Sequence, residues 1–243
     1  MIENFIRNEK GFVKRISNYT PNCLVNVTSP TDEEISFLAE KFKLKKDNVN
    51  DGLDIYETPR LERENHTIYI YLTVPTEKIS NEFASSFLIV WTKHALIIIS
   101  KYPLEIFEDI AKIGKKVKNF SFPKNLLRIL FFIHRSFDRS IRFIIKETKA
   151  NKTDLSKLNN KNIERIILNE EKLNYYISSF ETLIKAYSKT LNEKEMGFSK
   201  RDKNFLIDLI ADLNGDLNLC KNMIKVNSNM RNYYSTKLSN DLN

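Results

Sequence analysis

All six prolines (Pro21, Pro30, Pro59, Pro75, Pro103 and Pro123) fall within the first 123 residues of this 243-residue chain, and residues 124–243 contain none. Proline fixes φ and removes a backbone donor, so its recurrence punctuates short elements while its absence permits long uninterrupted helices. The chain therefore divides into a mixed α/β front, residues 1–122, and a helical back, residues 123–243.

The back carries three periodic runs. Leu126 to Glu147 is dense in apolar and aromatic side chains (Leu127, Leu130, Phe131, Ile133, Phe137, Ile141, Ile144), which predicts a helix packed on the sheet as well as on its helical neighbours. After a polar break at 151–162, a seam runs from Ile166 through Leu173, Ile177, Phe180, Ile184, Tyr187 and Leu191, with Glu170 its one charged member. A turn at Met196-Gly197-Phe198-Ser199 folds the chain back into a last helix. There Leu206, Ile210, Leu213, Leu217, Cys220 and Ile224 alternate steps of four and three, the spacing of a stalk lying along other helices. From Asn227 the seam turns polar, and no Gly or Pro closes the helix, so the chain reads as cut before a continuation.

In the front, Leu24–Val27 is a short strand. Thr31 with Glu34 forms a capping box ahead of a helix whose face is Ile35, Leu38, Ala39 and Phe42. Asp47 to Glu62 is acidic and turn-rich, and Pro59 interrupts any regular element there, so its acids are expected on a short helix and loop. Thr67–Val74 alternates like a sheet strand with two different faces. Phe87–Trp91 and Ala95–Ile99, joined by Thr92-Lys93-His94, form an antiparallel hairpin covered on both faces, in part by a helix at Leu104–Ile113. The expected fold is α+β: an αβα sandwich around a mixed or antiparallel sheet, followed by long stalk helices.

Catalysis finds no support. With five glycines there is no phosphate-cradling loop, and neither a nucleophile elbow nor HExxH occurs. Cys23 and Cys220 lack metal or redox spacing, which suits buried thiols in a reducing compartment. His66 and His94 read as surface residues and His134 as a hydrogen-bonded packing residue. The net charge of +8 permits attraction to polyanions, but the excess reads as scattered Lys, and no nucleic-acid partner is expected. No run of apolar residues is long enough to span a membrane. More informative are acids that oppose the overall charge: Asp208, Asp212 and Asp216 step by four along the last helix, and Asp47, Asp51 and Asp54 cluster in the front. Both groups are either solvated faces or ligands for a hard dication, which prefers oxygen donors.

The run Asp51-Gly52-Leu53-Asp54-Ile55-Tyr56-Glu57-Thr58-Pro59-Arg60-Leu61-Glu62, the strand at Thr67, the hairpin from Phe87 and the ending Tyr234 to Asn243 resemble, in order, the cytoplasmic portion of the CorA family of divalent-cation channels. The resemblance implies a homopentameric funnel at the cell membrane, not an enzyme, whose longest helix continues into membrane spans. The family's Gly-Met-Asn signature follows those spans, beyond this sequence. It implies Mg2+ as the ion, with Co2+, Ni2+ or another divalent cation as alternatives and a zinc transporter as a related possibility. Asp51 matches the family's regulatory acid, Asp208 its partner on the adjoining subunit's stalk, and Asn243 the asparagine at the pore mouth. Departures are Asn50, Ala211 and Cys23-Leu24, where the family favours two acids and a Trp; Asp54 or Asp212 is expected to compensate. The alternative from a different class is a basic α/β module with a helical hairpin that binds nucleic acid or protein.

Overall fold

The computed structural model describes residues 1–8, 10, 13–76, 82–105, 120–153 and 160–241. Seven strands form one mixed sheet: β1 Ile2–Arg7, β2 Val13–Ile16, β3 Cys23–Thr28, β4 Arg60–Glu64, β5 Thr67–Pro75, β6 Ala84–Trp91 and β7 Ala95–Ser100, in spatial order β2-β1-β3-β7-β6-β5-β4. Among the described strands only β3 with β7 is parallel; the expected β6–β7 hairpin pairs Phe87 with Ser100 through Trp91 with Leu96. Strands β1, β2 and β4 were not legible in the sequence. The charged strand β4 forms one edge, where Pro59 just before it costs no ladder bond to a second neighbour.

Alternation along the strands builds two cores. On one face Cys23, Val25, Val27, Tyr69, Tyr71, Leu88, Val90, Ile97 and Ile99 pack beneath α1 (Asp32–Phe42) and α2 (Lys46–Asp51). The capping box predicted at Thr31 and Glu34 starts α1. On the other face Leu24, Ile68, Ile70, Leu72, Phe87, Ile89, Leu96 and Ile98 meet the helices α3 (Phe122–Thr153), α4 (Asn160–Asn192) and α5 (Lys200–Asp241) in one continuous apolar cluster. The helix expected at 104–113 and the centre of the polar break, 154–159, lie almost entirely or wholly outside the described residues.

The helices form an up-down-up bundle. Helix α3 docks on the sheet through Phe122, edge-on to Trp91 with ring centroids 5.7 Å apart. Antiparallel α4 sets Phe180 against Phe137, the rings tilted with centroids 4.8 Å apart, and Tyr187 donates from its hydroxyl to the Leu130 carbonyl (2.9 Å). A 3-10 turn at Lys194–Met196 and Gly197 in the left-handed region (φ 62°) then reverse the chain into α5. Glu170, the charged member of the α4 seam, is paired with Arg231 of α5 at 2.6 Å.

The buried line of α5 departs from the predicted seam on one flank. Leu206, Leu213, Cys220, Asn227 and Tyr234 recur every seven residues as buried positions, but the companion line is Asp202, Leu209, Asp216 and Met223. Ile210, Leu217 and Ile224 are only partly covered. Two acids and an amide thus enter a helix interface, each meeting a partner on α3 or at the start of α5. Lys124 and Ser199 bind Asp202, His134 faces Asp216, and Thr148 donates to Oδ1 of Asn227 (3.0 Å).

Candidate metal centre

Asp51 is presented by a short helix that the sheet holds from below. The Tyr69 hydroxyl accepts from the Lys45 backbone N–H (3.1 Å), and the Tyr71 hydroxyl donates to the Asn48 carbonyl (3.2 Å). These two residues of β5 hold the N-terminus and the middle of α2. At its C-terminus Gly52 lies against β6 so closely that a Cβ there would sit 2.4 Å from Cβ of Leu88. Glycine is therefore required at this position by space, since its φ of −66° is ordinary.

The Asp51 carboxylate is 47% exposed, with Oδ2 3.3 Å from Nη2 of Arg60. The same guanidinium binds Glu62 (Nε to Oε1, 2.7 Å) and Glu57, and lies 3.8 Å above the centre of the Tyr71 ring. Arg60 was not singled out in the sequence, although its place nine residues after Asp51 within Pro-Arg-Leu-Glu was visible. Asp54 is exposed, and its Oδ1 accepts the Tyr56 backbone N–H at 3.0 Å, so one of its oxygens shapes the turn. Asp47 is exposed one turn from Asp51.

Asp208 and Asp212 stand exposed on α5, one turn apart. Asp216 does not continue their stripe into solvent: its Oδ2 is 3.3 Å from Nε2 of His134, with the two side chains 12% and 15% exposed. Contact with Asp216 raises the His134 pKa above its ordinary value, against the opposing effect of burial, and Asp212 and Asp138 add to the rise. Cys220, one turn further, is a buried thiol pushed up to about 12 by burial and by Asp216, which makes it unreactive. Burial also works against ionisation of Asp202, but Lys124 and Ser199 outweigh it and hold that carboxyl below its usual range.

Among the described residues no three His, Cys, Asp or Glu side chains gather closely enough to hold a metal ion within one chain. Asp51 ends α2 and is paired with Arg60, Asp54 follows it in an exposed turn, and Asp208 and Asp212 lie exposed on α5. Asn243 lies outside the described residues.

Strand β4 contacts both regions. Arg60 holds the Asp51 loop, and three residues on, Arg63 binds Glu193 (3.1 Å) and Glu195 in the turn that leads into α5. One helix gathers part of the positive charge. Helix α3 carries Lys124, Arg128, Arg135, Arg139, Arg142, Lys146, Lys149 and Lys152 against Asp138 and Glu147. The exposed members Arg135, Arg139, Arg142, Lys146 and Lys149 recur at steps of three and four, placing them on one face.

The layer and the bundle together define an α+β protein in which a sandwiched mixed sheet is carried on a three-helix stalk. The family model for CorA-like Mg2+ transporter proteins matches residues 22–243, and the chain belongs to that family. The complete CorA magnesium transporter from Methanocaldococcus jannaschii superposes with a TM-score of 0.88 at 17% identity, covering 100% of this chain and 78% of that one. The soluble domain of CorA from the same organism gives 0.84 at 19% identity, over 96% and 95% of the two chains. The ZntB cytoplasmic domain from Vibrio parahaemolyticus RIMD 2210633 gives 0.78 at 13%, over 97% and 98%. No curated protein sequence matches the chain. Among the described residues no helix is long and apolar enough to cross a membrane.

Proposed function

We propose that this chain is the ion-sensing part of a CorA-like channel for Mg2+, or for Co2+ or another divalent cation, gated by an ion held between subunits. Residues 1–122 form its αβα unit and residues 123–243 its stalk. The full-length protein is a homopentamer in the cell membrane with this portion on the cytoplasmic side, and it transports rather than catalyses. The observation that carries this reading is the contrast among the acids of α5: Asp208 and Asp212 are open, while Asp216 is withdrawn into an internal pair. An open carboxylate on the stalk and a half-exposed one at Asp51, paired with Arg60 at 3.3 Å, suit a site completed by a neighbouring copy.

In this mechanism Asp51 of one subunit and Asp208 of the next face each other across the boundary, with Asp54 and Asp212 as flanking acids. Asn243 lies at the pore mouth. A dication between the carboxylates offsets their repulsion and holds a symmetric closed ring; its departure lets them separate. The ion shifts the equilibrium only by its differential affinity for the closed arrangement. The Arg63 contacts with Glu193 and Glu195 support transmission from the Asp51 loop to the base of α5. In the full-length protein Asp208→Ala is expected to weaken inhibition of transport by internal Mg2+, and unchanged inhibition would overturn the assignment.

The basic face of α3 favours a second reading, a module for a phosphate-bearing polyanion. It predicts RNA or DNA binding that falls steeply with salt and is lost in Arg135→Glu/Arg139→Glu/Arg142→Glu. The channel reading predicts that this triple variant leaves the response to Mg2+ unchanged.

A further inference from the structure

Resting on the reading of Asp51 as half of a divalent-cation site, we propose that Arg60 is a tethered cation that occupies Asp51 when no ion is bound. A dication must then displace the guanidinium, and Arg60 sets the concentration at which the site fills.

The three carboxylates around Arg60 are not held equally. Glu62 is bound at 2.7 Å through Nε and Glu57 closely through Nη1, whereas Asp51 is met at 3.3 Å through Nη2. Asp51 is also the most exposed of the three, at 47% against 44% for Glu62 and 20% for Glu57. The guanidinium itself is fixed by its place over Tyr71, a ring buried in the sheet and tied through its hydroxyl to α2. Asp51 can therefore leave Arg60 while the arginine keeps two charged partners and its aromatic platform. One formal positive charge against three negative ones leaves a local excess of negative charge, so the fork weakens the attraction of Asp51 for a dication without cancelling it. Arginine suits this role because its planar fork engages several carboxylates at once, which a lysine ammonium does not do in the same geometry.

The test is Mg2+-driven self-association of the chain, followed by sedimentation velocity, in wild type, Asp51→Asn, Arg60→Gln and Arg60→Lys. An exposed ion pair of this kind sets the scale: the Mg2+ midpoint should fall about two- to fivefold in Arg60→Gln. Arg60→Lys separates displacement from a general field effect, since it keeps the charge and loses the fork; a lower midpoint in this variant as well supports direct competition. An Asp51-dependent response whose midpoint is unchanged or raised in Arg60→Lys overturns the role of Arg60 and leaves the site standing. A wild-type chain that does not respond to Mg2+, or an Asp51→Asn chain that responds like wild type, overturns the site and this proposal with it.

Discussion

The proton on His134 should decide how firmly α3 holds α5. The imidazole faces Asp216 at 3.3 Å inside a largely apolar interface, with Asp212 on the same helix and Asp138 on its own, the latter bound by Arg142. Nδ1 of His134 and Oδ2 of Asp216 are both buried without a hydrogen-bond partner of good geometry, so the two groups meet as an ion pair and not as an aligned hydrogen bond. A charge-assisted contact contributes about 1.5–3 kcal/mol; the separation and the poor alignment of the N–H place this one near the lower figure. Because the folded pKa is raised, the contribution is complete below the unfolded value of about 6.5 and is lost as pH rises through the folded value. Asp216→Asn keeps the shape and removes the charge. It should be about 1.5 kcal/mol less stable than wild type by urea denaturation at pH 5.5, with the gap closing by pH 8.5. Imidazole NMR of His134 provides an independent reading of the same proton. Stability curves for the two proteins that run parallel from pH 5.5 to 8.5, or a His134 signal that titrates no higher than the ordinary imidazole value of about 6.5, would refute the reasoning.

Further outcomes follow from buried contacts elsewhere. Gly52→Ala forces a methyl into Leu88 and should cost about 1–3 kcal/mol in urea unfolding, with loosening of α2 visible as faster amide exchange at 48–52. Thr148→Val strands the buried Asn227 and should cost about 1–3 kcal/mol. Adding Asn227→Leu should recover most of that loss, and a double variant as unstable as the single one would count against the pairing. Lys124→Met leaves the Asp202 carboxylate buried without its cation. It should remove a stabilisation that wild type keeps at neutral pH and loses as pH falls through the lowered carboxyl value, measured as a smaller acid-induced drop in Tm.

How far the sequence reached depends on whether the information was local. The capping box at Thr31, the β6–β7 hairpin and the long helices after Pro123 rest on neighbours within a few residues, and all three were legible. Strand β4 was not, because Leu61 is its only apolar residue and its conformation comes from pairing with β5. Asp216 looked like one more solvated acid; what buries it is a histidine 82 positions earlier, brought alongside by the parallel packing of α3 and α5. Asn227, where the seam appeared to turn polar and open, is fully buried for the same reason, its partner Thr148 lying on α3. The basic face of α3 was legible in the spacing of Arg135, Arg139 and Arg142 but is hidden when charge is counted without periodicity. At the candidate centre the acids were legible, while the arginine that binds Asp51 became visible only when β4 placed it beside α2.

The claim that a dication joins Asp51 of one copy to Asp208 of another is tested most directly by mixing two defective chains. Asp51→Asn and Asp208→Asn should each fail to associate in Mg2+ alone. An equimolar mixture should regain partial Mg2+-dependent association, because an intact Asp208 on the first chain can meet an intact Asp51 on the second. Either variant associating by itself as wild type does, or a mixture no better than its components, would contradict the account.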